Sequence, residues 1–329
     1  MERILFINSK KPDYLEDMVF SGLSEILGNE NLIPYPVNYH YYFSKYSYPK
    51  NMGECRNLRT IIPDWMRSRR ALVEMDFDCV ILGSAKKDVF EKYMEFIDIL
   101  PKEIPVVFID GGDWGEIGGD AEREDWLDLF SEAVKKRAFD WIFKREYLLN
   151  KEYDRNVFPL PMAYKGPDII SPDKKRFDVV FWAVESHPIR TKALKILEDG
   201  YDCKSNGTTR GQKFKKYARK GHSYLDELGS AKIACNFRGV GWDTLRYWEI
   251  PAVGSLMISE EPGIKITNNF VNGKHAIFCN GNLSNFTDLI DYYLKNNDER
   301  KEIAEAGRNH LLNYHLYKHR AEYILSIIC

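Results

Sequence analysis

The sequence lacks the features that mark several specialised classes of protein. Its six cysteines form no C-x-x-C pair, which argues against a zinc knuckle, a redox motif and a secreted disulfide framework. Its longest apolar runs, such as residues 79–82 and 106–109, are far shorter than the roughly 18 residues that a membrane span needs. The apolar patch near the N-terminus is too short for a signal peptide. We therefore predict a protein with no membrane span, located in the reducing cytoplasm.

A strong charge of one sign is also missing. The formal net charge is −2, so no global field attracts nucleic acid or an anionic membrane, and only a local patch would bind such a partner. Apolar residues make up 44% of the chain and charged residues 29%, which excludes disordered and low-complexity classes. The 329 residues are enough for two domains, each with its own core.

Short β-branched and aromatic runs alternate with helical patterns along the chain. This alternation predicts crossover connections and parallel sheets. A proline-rich stretch at residues 159–172 interrupts it and is typical of a linker. We therefore predict an α/β fold with two Rossmann-like domains, residues 1–163 and residues 164–329. The predicted strands are residues 3–8, 31–37, 78–83, 105–109, 141–144, 156–160, 177–183, 231–237, 255–259 and 275–279. The predicted helices are residues 13–27, 87–100, 188–198 and 244–250, and a final helix from about residue 297.

Charge is divided unevenly between the two halves. Residues 1–163 carry 22 Lys and Arg against 29 Asp and Glu, whereas residues 164–329 carry 25 against 20. Much of the basic excess lies between Lys204 and Lys220, which is either a solvated loop or a surface that faces phosphate groups.

The densest group of candidate binding residues lies between residues 237 and 254. A predicted strand there leads into a loop containing Gly239, and the loop leads into a helix that Asp243 or Thr244 would cap. Free amides at a helix N-terminus favour a bound anion. Arg238 and Arg246 would add donors for phosphate oxygens.

Glu249 accepts hydrogen bonds when ionised and therefore suits a ribose diol. Together, these residues predict a site for a nucleoside diphosphate. Two other interpretations stay open. Arg246 and Glu249, three residues apart, could form a surface pair on the helix. Residues 239–244 could be a partial G-x-G-x-x-G, although a dinucleotide fingerprint follows the first strand of its unit, where residues 8–12 contain no glycine.

Several segments of the second half carry a family resemblance. They are D-T-L-R-Y-W-E at residues 243–249, G-S-L-M-I-S at 254–259, N-F-V-N-G-K at 269–274 and N-D-E-R-K-E-I-A-E-A-G-R at 297–308, before residues 314–315 and 319–321. In order and spacing they resemble the C-terminal domain of the CgeB-like glycosyltransferases, a branch of the nucleotide-sugar-dependent GT-B superfamily. The resemblance covers about a third of the chain.

This resemblance implies two facing Rossmann-like domains around a cleft, with the acceptor on the side of residues 1–163 and the donor on the side of residues 164–329. It implies that Arg246, Glu249 and Gly254 line the donor pocket and that Arg190 contacts the diphosphate. It also implies that the final helix braces the domain junction. The expected reaction moves a sugar from a nucleoside-diphosphate sugar, the donor substrate, with no cofactor and no metal ion. The acceptor is an unidentified glycan, protein, DNA or small molecule.

The catalytic base is less clearly marked. Many retaining relatives carry a second glutamate eight residues before the position of Glu249, but Gly241 stands there, so the stereochemistry stays open. Asp110 and Asp113, at the end of a predicted strand, are the candidates for a base, since strand-end carboxylates face the ligand crevice in open α/β sheets. Asp110 could instead cap a turn. Together with Asp120, these acids could bind a metal ion, but their spacing does not match an EF-hand.

The tyrosine-rich segment at residues 39–48 supplies further candidates. His40 is an alternative base, and its neighbours Tyr39, Tyr41, Tyr42 and Tyr46 could stack against an acceptor sugar. An alternative function from another class is a non-catalytic GT-B relative that binds a nucleotide sugar or a glycan as a scaffold or sensor.

Overall fold

A computed structural model describes residues 2–43, 49, 52–166, 175–201 and 221–329. The basic run at Lys204–Lys220, residues 167–172 of the predicted linker and Tyr46 lie outside these residues. The strands are β1 Ile4–Ile7, β2 Leu32–Tyr35, β3 Cys79–Leu82, β4 Val106–Asp110, β5 Trp141–Lys144, β6 Val157–Pro159, β7 Phe177–Val180, β8 Ala231–Asn236, β9 Leu256–Glu260 and β10 Ile277–Cys279. The helices are α1 Tyr14–Leu27, α2 Ile61–Glu74, α3 Lys87–Met94, α4 Gly119–Arg123, α5 Leu127–Lys136, α6 Pro188–Gly200, α7 Gly221–Gly229, α8 Leu245–Ala252, α9 Phe286–Lys295, α10 Asn297–Tyr314 and α11 Tyr317–Ile328.

The first six strands form one parallel sheet with the order β2-β1-β3-β4-β5-β6. Strands β1, β3 and β4 are buried along their whole length, which explains why they read as unbroken apolar runs in the sequence. Asp13 caps α1, because its Oδ1 accepts hydrogen bonds from the amides of Leu15 and Glu16. Because all six strands are parallel, their carboxyl ends lie at one edge of the sheet, which we call the first edge.

The last four strands form a second parallel sheet with the order β10-β9-β8-β7. Its core includes Val179, Ile233, Leu256 and Ile258 from the strands, packed against side chains of α6 and α9. The carboxyl ends of β7, β8 and β9 lead into residues 181–187, 237–244 and 261–263. We call this side of the sheet the second edge.

The chain divides into two compact units, residues 1–163 with 317–329 and residues 164–316. We had predicted residues 164–329 as one domain, so the difference lies in the last helix. Helix α11 packs against α1 so closely that a Cβ on Gly22 would lie 2.8 Å from the Cβ of Ala321. Arg320 of α11 also donates hydrogen bonds to the carbonyls of Pro161 and Met162.

The predicted final helix is two helices, α10 and α11, separated by His315 and Leu316. The break is fixed in place, because the amide of Tyr164 donates to the carbonyl of His315 and residue 164 pairs with Leu316 in an isolated bridge. The predicted helix at residues 87–100 ends at Met94 and continues as turns. No helix of the described residues is long and apolar enough to cross a membrane.

Candidate functional site

At the second edge, a chain of hydrogen bonds links the ends of β8 and β9. Thr244 Oγ1 donates to Asn236 Oδ1 at 2.7 Å, and Asn236 Nδ2 donates to Ser259 Oγ at 3.1 Å. Ser259 Oγ in turn donates to the carbonyl of Glu260. Thr244 is the N-cap residue of α8, but its side chain makes no capping hydrogen bond to the first turn. The N-terminus of α8 is therefore fixed at the second edge without a side-chain cap on its amides.

Arg246 lies in the first turn of α8 with most of its guanidinium buried. Its Nη2 donates to the carbonyl of Trp182 at 2.8 Å, and its Cζ lies 5.4 Å from the centroid of the Phe181 ring. Among the described residues, neither Nε nor Nη1 has a hydrogen-bond acceptor, although both atoms are buried. Unsatisfied buried donors are costly, so two of them on one charged group indicate a place for an acceptor from outside the protein.

Arg238 lies in the loop after β8 and is partly exposed. Its guanidinium stacks over the Trp242 ring at 3.9 Å, and its Nε lies 3.5 Å from Oε2 of Glu260. The backbone amide of Arg238 donates to Oε1 of the same carboxylate at 2.7 Å. Burial raises the pKa of Glu260, and the charges of Arg238 and Arg190 oppose this rise. The cation is therefore held in one orientation by a ring and a carboxylate.

Arg190, near the start of α6, is buried and engaged with the protein itself. Its Nε and Nη2 donate to the carbonyl of Phe237 at 3.1 and 3.0 Å, and its Nη1 donates to the carbonyl of Val184 and to Ser186 Oγ. A Cβ on Gly239 would lie 3.1 Å from Arg190 Nη2, so glycine gives the guanidinium its room. These contacts join the loops after β7 and β8, which suits a positioning role better than direct contact with a diphosphate.

His187 caps α6 next to these arginines. Its Nδ1 accepts a hydrogen bond from the amide of Ile189 at 3.2 Å, so that nitrogen carries no proton. Burial lowers the pKa of His187, and the charges of Arg238 and Arg190 lower it further. The imidazole is therefore held neutral at the second edge.

The two acids of the predicted donor site are both buried. Asp243 Oδ1 accepts a hydrogen bond from the indole of Trp248 at 2.9 Å, and Glu249 Oε2 accepts one from the hydroxyl of Tyr224. The structure thus brings Arg190, Arg238 and Gly239 together. It places Glu249 further along α8, beside α7.

At the first edge, Asp110 ends β4 and is completely buried. Its Oδ2 lies 3.0 Å from Nζ of Lys144, which is also fully buried, and accepts a hydrogen bond from the amide of Gly118. The amide of Gly112 lies 3.4 Å from its Oδ1. A carboxylate held in this way orders the loop after β4, which suits a positioning role better than proton transfer.

Asp113 and Asp120 differ in their surroundings. Asp113 is 49% exposed and hydrogen bonds to the guanidinium of Arg145. Asp120 lies in α4 over Gly112, where an added Cβ would lie 2.7 Å from its Oδ1. Within the part of the chain that the structure describes, no donor hydrogen bonds to the Asp120 carboxylate.

Burial and the charges of Asp110 and Asp113 raise the pKa of Asp120 to about 6, and Arg145 opposes this rise. From the sequence alone we consider Asp120 only as a metal ligand, which misses the raised pKa of this carboxyl. Asp120 lies ten residues after the end of β4, so the sequence does not indicate that it is close to that strand. The fold of residues 111–119 places its carboxylate over Gly112.

The tyrosine-rich segment contributes a third group of polar residues. Nε2 of His40 lies 2.7 Å from Asp17 Oδ1, and Glu16 accepts hydrogen bonds from the Tyr41 hydroxyl and the Ser9 amide. Ligand atoms of Glu16, Asp17 and His40 lie within 4.8 Å of one another, a spacing that a metal ion could use. Burial and the neighbouring acids raise the pKa of Glu16 well above its usual value.

Two of the four predicted stacking tyrosines, Tyr41 and Tyr42, are buried, whereas Tyr39 is exposed. The Tyr41 ring stacks on Phe20 with centroids 3.8 Å apart, and the hydroxyl of Tyr42 donates to Asp64 at 2.6 Å. These two rings are part of the packing of the first unit. Of the described members of the predicted platform, only Tyr39 presents its ring to solvent.

Comparison with known sequences finds one similarity, in the second half of the chain. Residues 190–326 match the sequence-family model described as glycosyl transferase-like. This region begins at Arg190 and contains β8, α8 and β9, so it includes every residue of the predicted donor site. A search of curated protein sequences finds no match. This match does not distinguish the CgeB-like branch from other glycosyl transferase-like proteins.

Comparison with solved structures covers the whole chain. HepE from Anabaena, in a complex with UDP and glucose, aligns with a TM-score of 0.60 at 8% identity, over 100% of this chain and 99% of that one. An alpha-glucosyltransferase in a complex with UDP and a mismatched 13-mer DNA aligns with a TM-score of 0.55 at 12% identity, over 99% and 98%. A glycosyltransferase from Rickettsia africae aligns with a TM-score of 0.53 at 11% identity, over 99% and 97%.

These likenesses confirm the predicted fold class. The protein has the α/β fold of the GT-B glycosyltransferases, with Rossmann-like parallel sheets, and residues 190–326 of its second half resemble the glycosyl transferase-like family. At such low identity, the structural likeness concerns the fold alone.

Proposed function

We propose that the protein is a glycosyltransferase that uses a nucleoside-diphosphate sugar, with UDP as the nucleotide, and that it belongs to the CgeB-like branch. The glycosyl transferase-like match over residues 190–326 supports the reaction class. The nucleotide is suggested by the neighbours of the same fold, two of which are complexes with UDP. The acceptor is left open.

The observation that carries this proposal is the pair of buried donors on Arg246. An arginine that leaves Nε and Nη1 unsatisfied offers N–H donors on two sides of its guanidinium, and phosphate oxygens from outside the protein could accept them. The uncapped N-terminus of α8 adds amides and a favourable dipole at the same turn. Arg246 therefore binds the diphosphate and stabilises the charge that develops on it as the sugar departs.

The remaining residues of the second edge take supporting roles. Arg238, held by Trp242 and Glu260, supplies a second cation, while Arg190 and Gly239 fix the loops after β7 and β8. Thr244 and Asp243 anchor the start of α8. Glu249, which accepts from Tyr224, supports the ribose. In this scheme arginines, and not a metal ion, neutralise the leaving diphosphate.

In the first unit, Asp120 accepts the proton of the acceptor hydroxyl. Its carboxylate is the one of the three acids near β4 that makes no hydrogen bond to another described residue, and its raised pKa suits a base near neutral pH. Asp110 and Asp113, the two acids expected from the sequence, hold the loop and keep negative charge close to Asp120.

A thermal-shift screen with UDP, GDP, ADP, dTDP and CMP tests the proposal. We expect UDP to raise the melting temperature, since a ligand at 100 times its dissociation constant adds about 2.7 kcal/mol of stability. Arg246→Met should abolish this rise, whereas Arg176→Met, at the opposite end of the same sheet, should retain it. Hydrolysis of the matching UDP-sugar then separates an enzyme from a binding protein. The proposal is refuted if no nucleotide raises the melting temperature, or if Arg246→Met responds like the wild type.

A further inference from the structure

Helix α2 is folded with its polar side inward. The side chains that it buries are small or charged: Asp64 (0% exposed), Ser68 (4%) and Ala71 (2%). The side chains that it presents to solvent include large apolar ones: Ile62 (70% exposed), Trp65 (55%), Met66 (61%) and Val73 (79%). A surface helix normally has the opposite arrangement, so this outer face is an exposed apolar patch with no function assigned to it.

The inward side is fixed by a buried polar network. Asp64 accepts hydrogen bonds from the Tyr42 hydroxyl at 2.6 Å and from Nη1 of both Arg56 and Arg67 at 2.8 Å. Arg56 is itself buried and donates from Nη2 to the carbonyl of Leu32 in β2. Turning the helix to bury its apolar side would break this network and leave charges unpaired in the core. The apolar face is therefore held outward.

The outer face has the composition of a helix that lies on a membrane. At 100° per residue, Trp65, Ile62, Val73 and Met66 fall within a sector of about 100°. Arg69 lies in the same sector, with its guanidinium 5.9 Å from the Trp65 ring. The preceding single-turn helix, Leu58–Thr60, adds an exposed leucine and Arg59.

The charge of this segment is positive, in contrast to the rest of the first unit. Residues 58–74 carry four arginines and two acids, and both acids are paired with arginines of this region. Among the described residues, no carboxylate lies within 4 Å of the guanidinium of Arg59 or Arg69. Two cations thus remain available among the apolar side chains.

We propose that the outer face of α2 is a docking surface for an anionic lipid bilayer. Tryptophan and aliphatic side chains enter the boundary between headgroups and acyl chains, and the arginines contact the lipid phosphates. A nucleic-acid backbone is a poor match for this face, because its charged phosphates offer no apolar surface to Ile62, Met66 and Val73. A two-fold contact with a second copy would place Arg69 of each copy on the same positive face.

The full-length protein is tested by co-sedimentation with vesicles of phosphatidylcholine alone and of phosphatidylcholine mixed equally with phosphatidylglycerol. We expect binding to the mixed vesicles, weaker binding to the neutral ones, and a loss of binding at high salt. The double variant Ile62→Ser/Met66→Ser should bind the mixed vesicles at least about tenfold more weakly, because it removes most of two buried apolar side chains. Arg69→Gln should weaken binding to the mixed vesicles and leave binding to the neutral ones unchanged.

The matched control is Ile99→Ser/Leu149→Ser, which removes two equally exposed apolar side chains elsewhere in the first unit, 67% and 66% exposed. It should bind vesicles like the wild type, and circular dichroism should show both double variants folded. The proposal is overturned if the wild type does not co-sediment with the mixed vesicles, or if the control variant loses binding as strongly as the α2 variant. A concentration-dependent dimer that Ile62→Ser/Met66→Ser abolishes, or binding to a DNA duplex in place of vesicles, also overturns it.

Discussion

The two sheet edges have the same architecture and opposite chemistry. The first edge gathers acids, Asp110, Asp113 and Asp120, whereas the second gathers arginines. At each edge, burial and then the neighbouring charges favour the neutral form of a titratable group: the pKa of Asp120 rises at the first edge, and that of His187 falls at the second. The two sheets therefore share one architecture, and the residues at and after the strand ends determine whether acids or arginines gather at that edge.

Substitution of Asp120 should have the largest effect of all the variants, and it tests the role of the acids at the first edge. We expect Asp120→Asn to slow hydrolysis of the UDP-sugar on the order of 10²–10⁴-fold, the usual contribution of a positioned base. In the wild type, the rate should fall as the pH drops below about 6, because the raised pKa leaves the carboxyl protonated there.

Asp113→Asn is the matched comparison for Asp120→Asn. It removes a neighbouring negative charge, so the acid limb of the pH profile should move to lower pH while turnover stays largely intact. A rate that is insensitive to Asp120→Asn would assign proton transfer elsewhere.

The buried pair of Asp110 and Lys144 should dominate the stability of the first edge. We expect Lys144→Met to lower the free energy of unfolding by about 3–5 kcal/mol, because it leaves a fully buried carboxylate without its cation. Asp110→Asn added to this variant should restore most of the loss. Urea unfolding of the two variants measures both effects, and a single variant as stable as the wild type would contradict the pairing.

Two arginines of the second edge should differ in their contribution to stability. The donors of Arg190 hydrogen bond to the protein, whereas two donors of Arg246 have no acceptor among the described residues. Arg190→Met should lower the free energy of unfolding by about 1–3 kcal/mol, because it leaves the carbonyls of Phe237 and Val184 unpaired. Arg246→Met should cost about 1 kcal/mol or less, since it also removes two unsatisfied donors. Thermal and urea unfolding test the order, and equal losses would show that Arg246 is also held by the protein.

Substitution of His187 should have a small effect on stability, with a pH dependence of known sign. His187→Ala should cost about 0.5–2 kcal/mol at neutral pH through loss of the α6 cap. The folded-state pKa lies below the ordinary value of about 6.5, so the unfolded chain binds the proton more readily. The stabilisation by His187 is therefore complete above about pH 6.5 and is lost as the pH falls through the lower folded value. A stability difference between wild type and variant that does not narrow in acid would contradict this assignment.

The sequence predicted the strands well because their signal is local. Every predicted strand is present within a few residues, since β-branched and aromatic runs of this length report burial on both faces of a parallel sheet. The loop that contains Gly239 and the helix that contains Arg246 follow β8, as predicted. Helices α2, α4, α5, α7 and α9 were missed. The spacing of apolar residues in α2 does not reveal that several of them face outward.

Other features depend on contacts between distant parts of the chain. The raised pKa of Asp120 requires the loop after β4 to fold back, and the satisfied state of Arg190 requires the carbonyl of Phe237, 47 residues away. The break between α10 and α11 is set by pairing with Tyr164 and not by a proline or glycine at residues 315 and 316. Composition and periodicity carry no signal for such contacts.

The packing of α11 against α1 has a consequence for synthesis of the chain. The ribosome makes residues 1–163 first, yet the partner that covers Gly22 and binds the carbonyls of Pro161 and Met162 leaves the exit tunnel only after residues 164–316. The first unit to be translated is thus the last to be completed, and its exposed α1 surface must stay soluble while the intervening unit emerges.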